Sequence, residues 1–129
     1  MATALAAMAR GEPAMLAPAH VAGRRDHPDD AVAAEISVER YCQPMMMVVG
    51  GGQDTVWPSS NMARHIASGR RTAALPTELL ILPEAGHNFS GSGWHSLNAW
   101  GADPFAAATA HAQRIVRQRR TRFVHAALQ

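Results

Sequence analysis

The chain has 129 residues, enough for one domain with a modest hydrophobic core. Hydrophobic residues make up 47% of the sequence, a composition that is typical of globular proteins and excludes extensive disorder. The formal net charge is only +2, and all 12 basic residues are arginine, so the charge gives no reason to expect a nucleic-acid partner.

The sequence also bears on location. No apolar run approaches the roughly 20 residues that a membrane-spanning helix requires. The opening residues lack the basic start and long apolar stretch of a secretory signal. The single cysteine, Cys42, excludes an internal disulfide and favours a reducing compartment. We therefore expect a cytoplasmic protein without a membrane partner.

Residues 1–40 predict only a poorly defined helical and loop segment. Pro13, Pro18 and Pro28 interrupt any long helix, and a charged stretch leads into a short helix at about residues 30–35. The pattern leaves open whether this segment is a helical lid, a linker or the remaining part of a truncated larger domain.

Residues 41–129 have a sharper pattern, which begins with a predicted strand. The stretch "MMMVV" at 45–49 is continuously apolar and ends in three glycines. Such a run is typical of a strand buried on both faces of a parallel sheet.

A helix and a second strand are predicted next. The stretch "SSNMARHIASGRR" at 59–71 indicates a helix capped by Ser59 or Ser60 and ending near Gly69. The apolar stretch "ELLIL" at 78–82 indicates a second buried strand. The order strand, helix, strand predicts a right-handed βαβ unit with parallel strands.

A long helix is predicted near the end of the sequence, with Asp103 as its N-cap and Pro104 at its first position. One apolar stripe runs along it, formed by Phe105, Thr109, Ala112, Val116, Phe123 and Ala127. We expect this stripe to pack on the sheet.

Two polar residues follow the two predicted strands, Asp54 after the glycines and His87 in "EAGHNF". Because parallel strands end at the same edge of a sheet, we expect the two side chains to meet there. A carboxylate that accepts the Nδ1–H of a histidine fixes its tautomer and stabilises the imidazolium formed during acyl transfer. Asp before His is also the order that ends the catalytic triad of α/β-hydrolases.

Simpler interpretations exist for the same residues. An aspartate between glycines and a helix often bonds only the backbone of its own turn, and a histidine after a strand is often no more than a satisfied polar group. His95 belongs to no zinc-binding motif, so we expect neither a metal nor another cofactor. The arginines within 114–122 point around most of their helix, which favours a solvated face.

The stretches "PMMMVVGGGQDTVWPSSNMARHIASGRR" and "TELLILPEAGHNF" resemble the C-terminal part of a known α/β-hydrolase family. That family comprises acyl-CoA thioester hydrolases and bile acid-CoA:amino acid N-acyltransferases. It typically has an apolar strand, S-G-G-D-D-x-x-W-P-S, a helix, a second strand and G-A-G-H. The match covers roughly residues 31–128. By this resemblance Asp54 is the triad acid and His87 the triad base.

Three single residues depart from the family pattern. Gly50 replaces a serine, Gln53 replaces the first aspartate, and Glu84 replaces the glycine before Ala-Gly-His. None of these departures removes Asp54 or His87.

The nucleophile is the larger departure. The family places a serine or cysteine upstream, on a G-x-S-x-G or G-x-C-x-G turn between a strand and a helix, and these 129 residues contain no such motif. Ser90 and Ser92 follow the histidine instead of preceding it, and Cys42 precedes a strand at the opposite end from the expected active edge.

The resemblance implies a partial α/β-hydrolase fold, consisting of the last strand–helix–strand–helix portion, with parallel strands and flanking helices. Residues 41–129 would then be the C-terminal portion of the hydrolase domain. The implied substrate is an acyl-CoA or a related thioester or ester, bound once a missing segment supplies the nucleophile. The isolated chain is expected to be inactive.

Two alternatives remain open. One is a non-catalytic α/β module derived from a hydrolase, which self-associates or binds an N-terminal partner chain because so few strands leave open sheet edges. The other is a different α/β-hydrolase branch, related to dienelactone hydrolases or prolyl peptidases. Those branches share the Asp–His arrangement but usually lack the W-P-S-S-x-M-A continuation.

Overall fold

The computed structural model describes residues 2–12, 15–38, 45–89, 97–98, 101–102 and 105–129. The described helices are α1 (Ala2–Ala9), α2 (Ala17–Asp26), α3 (Pro28–Ala33), α4 (Ser59–Thr72) and α5 (Ala106–Ala127). The described strands are β1 (Met46–Gly51), β2 (Thr77–Leu82), β3 (Leu97–Asn98) and β4 (Gly101–Ala102). None of the described helices is both long and apolar enough to cross a membrane.

The main sheet is a parallel pair of strands connected by α4. β1 and β2 run in register from Met46 opposite Thr77 to Gly51 opposite Leu82. The predicted parallel βαβ unit is therefore confirmed. A second, antiparallel pair is formed by the short strands β3 and β4.

The expectations that β1 is buried on both faces and that β2 is a second buried strand are wrong for most of their residues. Only the last residues of the strands, Gly50 and Gly51 in β1 and Leu82 in β2, are buried, and the others are half-buried. The physical reason is the size of the sheet: among the described residues each strand has one neighbour, so its other edge is not covered by a strand.

α4 and α5 pack on opposite faces of this sheet. A Cβ atom on Gly50 would lie 2.7 Å from the carbonyl oxygen of Ser59, at the start of α4. A Cβ atom on the next residue, Gly51, would lie 2.7 Å from the carbonyl oxygens of Ala85 and Gly86, in the segment that follows β2. Because successive strand residues point to opposite faces, α4 lies on one face and the segment after β2 lies on the other.

One cluster of the hydrophobic core lies between the sheet and α5. Its buried members are Leu82, Ala85, Ala112 and Val116, with Val49, Leu80, Phe89 and Ile115 packed against them. Among the described residues, the other buried apolar side chains are Val56 and, on α4, Ala63 and Ala67. The apolar stripe of α5 therefore packs on the sheet through its first half, as expected. Phe123 is half-buried and Ala127 is exposed, so the stripe loses its packing partner near the end of the helix. The predicted cap, Asp103 and Pro104, lies outside the described residues.

The ends of α4 differ from the prediction. Pro58 is the N-cap, and no side chain caps the helix. The Ser59 hydroxyl instead accepts a hydrogen bond from the Gly51 N–H at 3.0 Å and donates one to the Gly51 carbonyl at 3.2 Å, which attaches the helix to the end of β1.

The helix also continues past Gly69, because the next residue is held at the start of β2. Arg70 is completely buried, and its Nε donates to the Thr77 hydroxyl at 2.8 Å. Its Nη2 donates to the Pro76 carbonyl at 3.3 Å. These two hydrogen bonds attach the last turn of the helix to the start of β2, and the helix ends at Thr72.

The turn after β1 allows no side chain at Gly52. Its N–H donates to the Leu82 carbonyl at 2.8 Å, and a Cβ atom at this position would lie 2.2 Å from the Pro83 carbonyl oxygen. This close approach of two backbone segments holds the ends of β1 and β2 together.

We predict that Gly52→Ala lowers the free energy of unfolding by about 1–3 kcal/mol, because the added methyl group forces the two loops apart. The matched control is Gly23→Ala in α2, where a Cβ atom would meet nothing within 4 Å. That change should raise the free energy of unfolding by about 0.5–1 kcal/mol, because alanine favours helix over glycine. Urea denaturation followed by circular dichroism measures both, and equal stability of Gly52→Ala and the native chain would contradict the prediction.

Candidate active site

The structure brings Asp54 and His87 together at the carboxyl ends of β1 and β2. His87 Nδ1 lies 3.0 Å from Oδ1 and 3.1 Å from Oδ2 of Asp54. The Asp54 side chain is 2% exposed and the His87 side chain 27% exposed. A carboxylate accepts and cannot donate, so Nδ1 carries the hydrogen and Nε2 of the neutral ring is an acceptor. This is the tautomer that a general base requires.

Asp54 also holds its own turn. Its Oδ1 accepts hydrogen bonds from the backbone N–H of Val56 at 2.9 Å and of Trp57 at 3.0 Å. The Asp54 side chain therefore does both things that the sequence suggested: it bonds the backbone of its own turn, and it accepts from the histidine. Because two backbone amides fix the carboxylate, its position does not depend on the histidine.

The two loops that carry this pair are joined directly. The Gln53 N–H donates to the Ala85 carbonyl at 2.9 Å, one residue before Asp54 and two residues before His87. The backbone therefore sets the distance between the two side chains.

Two residues of α5 that the sequence did not identify as functional contact the loop of His87. Thr109 Oγ1 accepts from the Gly86 N–H at 2.8 Å, and Gln113 Nε2 donates to the Asn88 carbonyl at 2.6 Å. The sequence assigned Thr109 only to the apolar stripe of the helix. The available signal was that two polar residues, four positions apart, lie on the face of the helix that packs on the core.

A cavity of about 500 Å³ opens beside the pair. Its lining residues are Val48, Val49, Asp54, Trp57, Ser59, Met62, Ala63, Ile66, His87, Asn88 and Phe89. Val48 and Val49 are successive strand residues and point to opposite faces of the sheet. A cavity that both of them line therefore crosses the edge of β1 that does not pair with β2.

Among the described residues, nothing acts as a nucleophile for His87. The hydroxyl that lines the cavity belongs to Ser59, and both of its hydrogen bonds go to the backbone of Gly51. Nε2 of His87 makes no hydrogen bond within the described part of the chain. Glu84 is exposed and makes no ion pair with His87. The other candidates from the sequence, Cys42, Ser90 and Ser92, lie outside the described residues.

The described ranges contain no group of three or more His, Cys, Asp or Glu side chains that would hold a metal ion. His95, the histidine considered as a possible ligand, lies outside those ranges.

The segment before β1 docks against the loop of Asp54. The N–H groups of Leu16 and Ala17, at the start of α2, both donate to the Thr55 carbonyl, at 2.7 and 2.9 Å. The ring of His20 stacks on Trp57, with centroids 4.1 Å apart and planes inclined by 22°. These contacts place the first turns of α2 beside a wall of the cavity, which the sequence did not predict.

A second contact fixes the same segment farther along α4. The Glu35 carboxylate, after α3, pairs with His65 Nε2 on α4. The stretch 15–38 is therefore attached both to the loop of Asp54 and to the helix that follows it.

Comparison of the chain with protein-family models, with curated proteins and with solved structures found no match. We therefore infer function from the geometry of Asp54, His87 and the cavity beside them.

We predict that Asp54→Ala lowers the free energy of unfolding by about 2–4 kcal/mol, because the N–H groups of Val56 and Trp57 lose their acceptor in a buried turn. Asp54→Asn keeps an oxygen acceptor in the same place and should cost about 1 kcal/mol. Urea denaturation of the two variants makes the comparison. Equal losses would show that the backbone hydrogen bonds of Asp54 contribute nothing to the turn.

We further predict that neutral His87 carries its hydrogen on Nδ1, because Asp54 accepts from that atom. In Asp54→Asn the hydrogen should move to Nε2, since the amide NH₂ then donates to Nδ1. The ring ¹⁵N shifts of His87 distinguish the two tautomers. A native ring with its hydrogen on Nε2 would contradict the arrangement.

Proposed function

We propose that the chain supplies the acid and the base of an α/β-hydrolase catalytic triad that acts on acyl thioesters or related esters. The observation that carries this proposal is the buried Asp54 carboxylate on His87 Nδ1, at the carboxyl edge of a parallel sheet and beside an apolar cavity. A structural histidine needs no such alignment of its tautomer.

The order of the elements supports the proposed hydrolase fold. Asp54 follows β1, the Trp-Pro-Ser stretch that begins at Trp57 leads into α4, and His87 follows β2. This is the order in the C-terminal part of the acyl-CoA thioester hydrolase and acyltransferase family, which the sequence resembles. We propose membership of that family, and a cytoplasmic location with it, on this combined evidence.

The chemistry assigned to the pair is acyl transfer. Nε2 of His87 takes the proton from a serine hydroxyl or cysteine thiol as the oxygen or sulfur attacks the acyl carbonyl. The imidazolium then gives this proton to the departing thiolate, and an acyl-enzyme remains. A water molecule, or an amine in the transferase branch, repeats the sequence and releases the acyl group. Asp54 stays ionised throughout and stabilises the imidazolium.

The nucleophile belongs, in this proposal, to a segment that carries the G-x-S-x-G or G-x-C-x-G turn absent from these residues. The cavity across the open edge of β1 is the place for it, because a strand that pairs there lies next to His87. Trp57 and Met62, both 43% exposed, add apolar surface to that edge. Such a strand covers this surface and completes the site in one step.

The same open edge favours a second candidate, a non-catalytic module that binds a partner chain or a second copy of itself. Both proposals require something to pair with β1. They differ in whether His87 takes part in any reaction, so a variant of His87 decides between them.

The test is acyl-CoA hydrolysis by the protein purified together with the segment or chain that completes it, with release of the CoA thiol as the readout. We expect His87→Ala to lower kcat by about 10³-fold or more, because a triad without its base retains little chemistry. The control is His111→Ala, an exposed histidine of α5 that should leave kcat unchanged.

Absence of hydrolysis in the assembled protein would favour the non-catalytic module. Hydrolysis that persists in His87→Ala would remove His87 from the mechanism. The isolated chain should be inactive, so activity of that chain alone would contradict the assignment of the nucleophile to another segment.

A further inference from the structure

The loop that carries His87 is held on both sides by one helix. On one side, the Gly86 N–H donates to Thr109 Oγ1 at 2.8 Å. On the other, the Asn88 carbonyl accepts from Gln113 Nε2 at 2.6 Å. Gly86 and Asn88 are the chain neighbours of His87. Thr109 and Gln113 are one helical turn apart, so both project from the same face of α5.

Burial makes the bond between Gly86 and Thr109 difficult to replace, and the bond between Asn88 and Gln113 is partly buried. Thr109 is completely buried and Gln113 is 4% exposed, and the Gly86 N–H is also buried. When one partner of a buried hydrogen bond is removed, water does not readily substitute for it, so the other partner moves or stays unsatisfied. The position of the peptide groups around His87 therefore depends on these two side chains.

A glutamine at position 113 is energetically unfavourable if the side chain serves only to pack the core. Its Oε1 is buried and makes no hydrogen bond within the described part of the chain. An apolar side chain of similar size avoids burying this acceptor. What the amide adds is the hydrogen bond from Nε2 to the Asn88 carbonyl, which fixes the residue after His87.

The two members of the Asp–His pair are positioned by different parts of the structure. Asp54 is fixed by the N–H groups of Val56 and Trp57 in its own turn. His87 has no such hydrogen bonds within its own turn among the described residues. Its loop is held by the backbone bond from Gln53 to Ala85 and by the two side chains of α5. Changes in α5 therefore act on the histidine and leave the aspartate in place.

We propose that Thr109 and Gln113 are positioning residues that clamp the backbone on either side of His87 and so direct its Nδ1–H onto Asp54. Only the catalytic use of this orientation rests on the proposed function. The orientation itself is observable in the chain without any substrate.

The test compares the ring ¹⁵N shifts of His87 and the rate at which its Nδ1–H exchanges with water in a set of variants. Thr109→Val removes the acceptor and keeps the shape, whereas Thr109→Ser keeps the hydroxyl. Gln113→Met removes the donor. Thr121→Val and Gln118→Met change exposed residues of the same helix and serve as matched controls.

We expect Thr109→Val and Gln113→Met to mix the two tautomers and to speed exchange of the Nδ1–H by about tenfold, the effect of losing one buried hydrogen bond. Thr109→Ser and both controls should behave as the native chain. The amides of Val56 and Trp57 should stay protected from exchange with water in every variant, because they report the turn of Asp54. A general loss of stability would remove this protection as well.

A native tautomer and native exchange in folded Gln113→Met would overturn the clamp. The same result in Thr109→Val would also overturn the clamp if that variant folds. If Thr109→Val does not fold, Gln113→Met alone decides. Loss of protection at the Val56 and Trp57 amides together with that of His87 would also overturn it.

The ring shifts and exchange rates need no catalysis. Absence of thioesterase activity would therefore contradict the proposed function without contradicting the clamp. In an active assembly, both variants should lower kcat and leave KM unchanged.

Discussion

The hydrogen bond between the Asp54 carboxylate and His87 Nδ1 is the interaction on which the site depends. One carboxylate oxygen accepts from this imidazole and from the backbone amides of Val56 and Trp57, so it orders the turn after β1 and the ring beyond β2 together. The carboxylate is almost completely buried, which keeps water from competing for it. The ring remains partly exposed and lines the cavity.

The rest of the fold serves to bring these two loops to one place. Parallel pairing of β1 and β2 makes both chains leave the sheet at the same edge. The absence of a side chain at Gly52 lets the two loops touch, and the bond from Gln53 to Ala85 joins them. α5 then holds the loop of His87 from the opposite face to α4. Among the described residues, a sheet of two strands is enough for this purpose.

The sequence predicted what depends on strand order and local pattern. The βαβ unit, the second strand and the meeting of Asp54 with His87 follow from apolar runs and from where parallel strands end. It did not predict what depends on contacts distant in sequence: Ser59 bonding to Gly51 instead of capping its helix, or the polar bonds of Thr109 and Gln113 within an apolar stripe. Burial on both faces was overestimated, because an apolar run does not show how many strands lie beside it.

In the proposed mechanism, His87 meets a substrate only when a strand completes the edge of β1, and the histidine then activates a nucleophile carried by that strand's segment. The most direct measurement is mass spectrometry of the assembled protein after brief reaction with an acyl-CoA and an acid quench. We expect an acyl group on a serine or cysteine of the completing segment, formed in the native protein and not in His87→Ala. An acyl group on a residue of these 129, or one that forms equally well without His87, would contradict it.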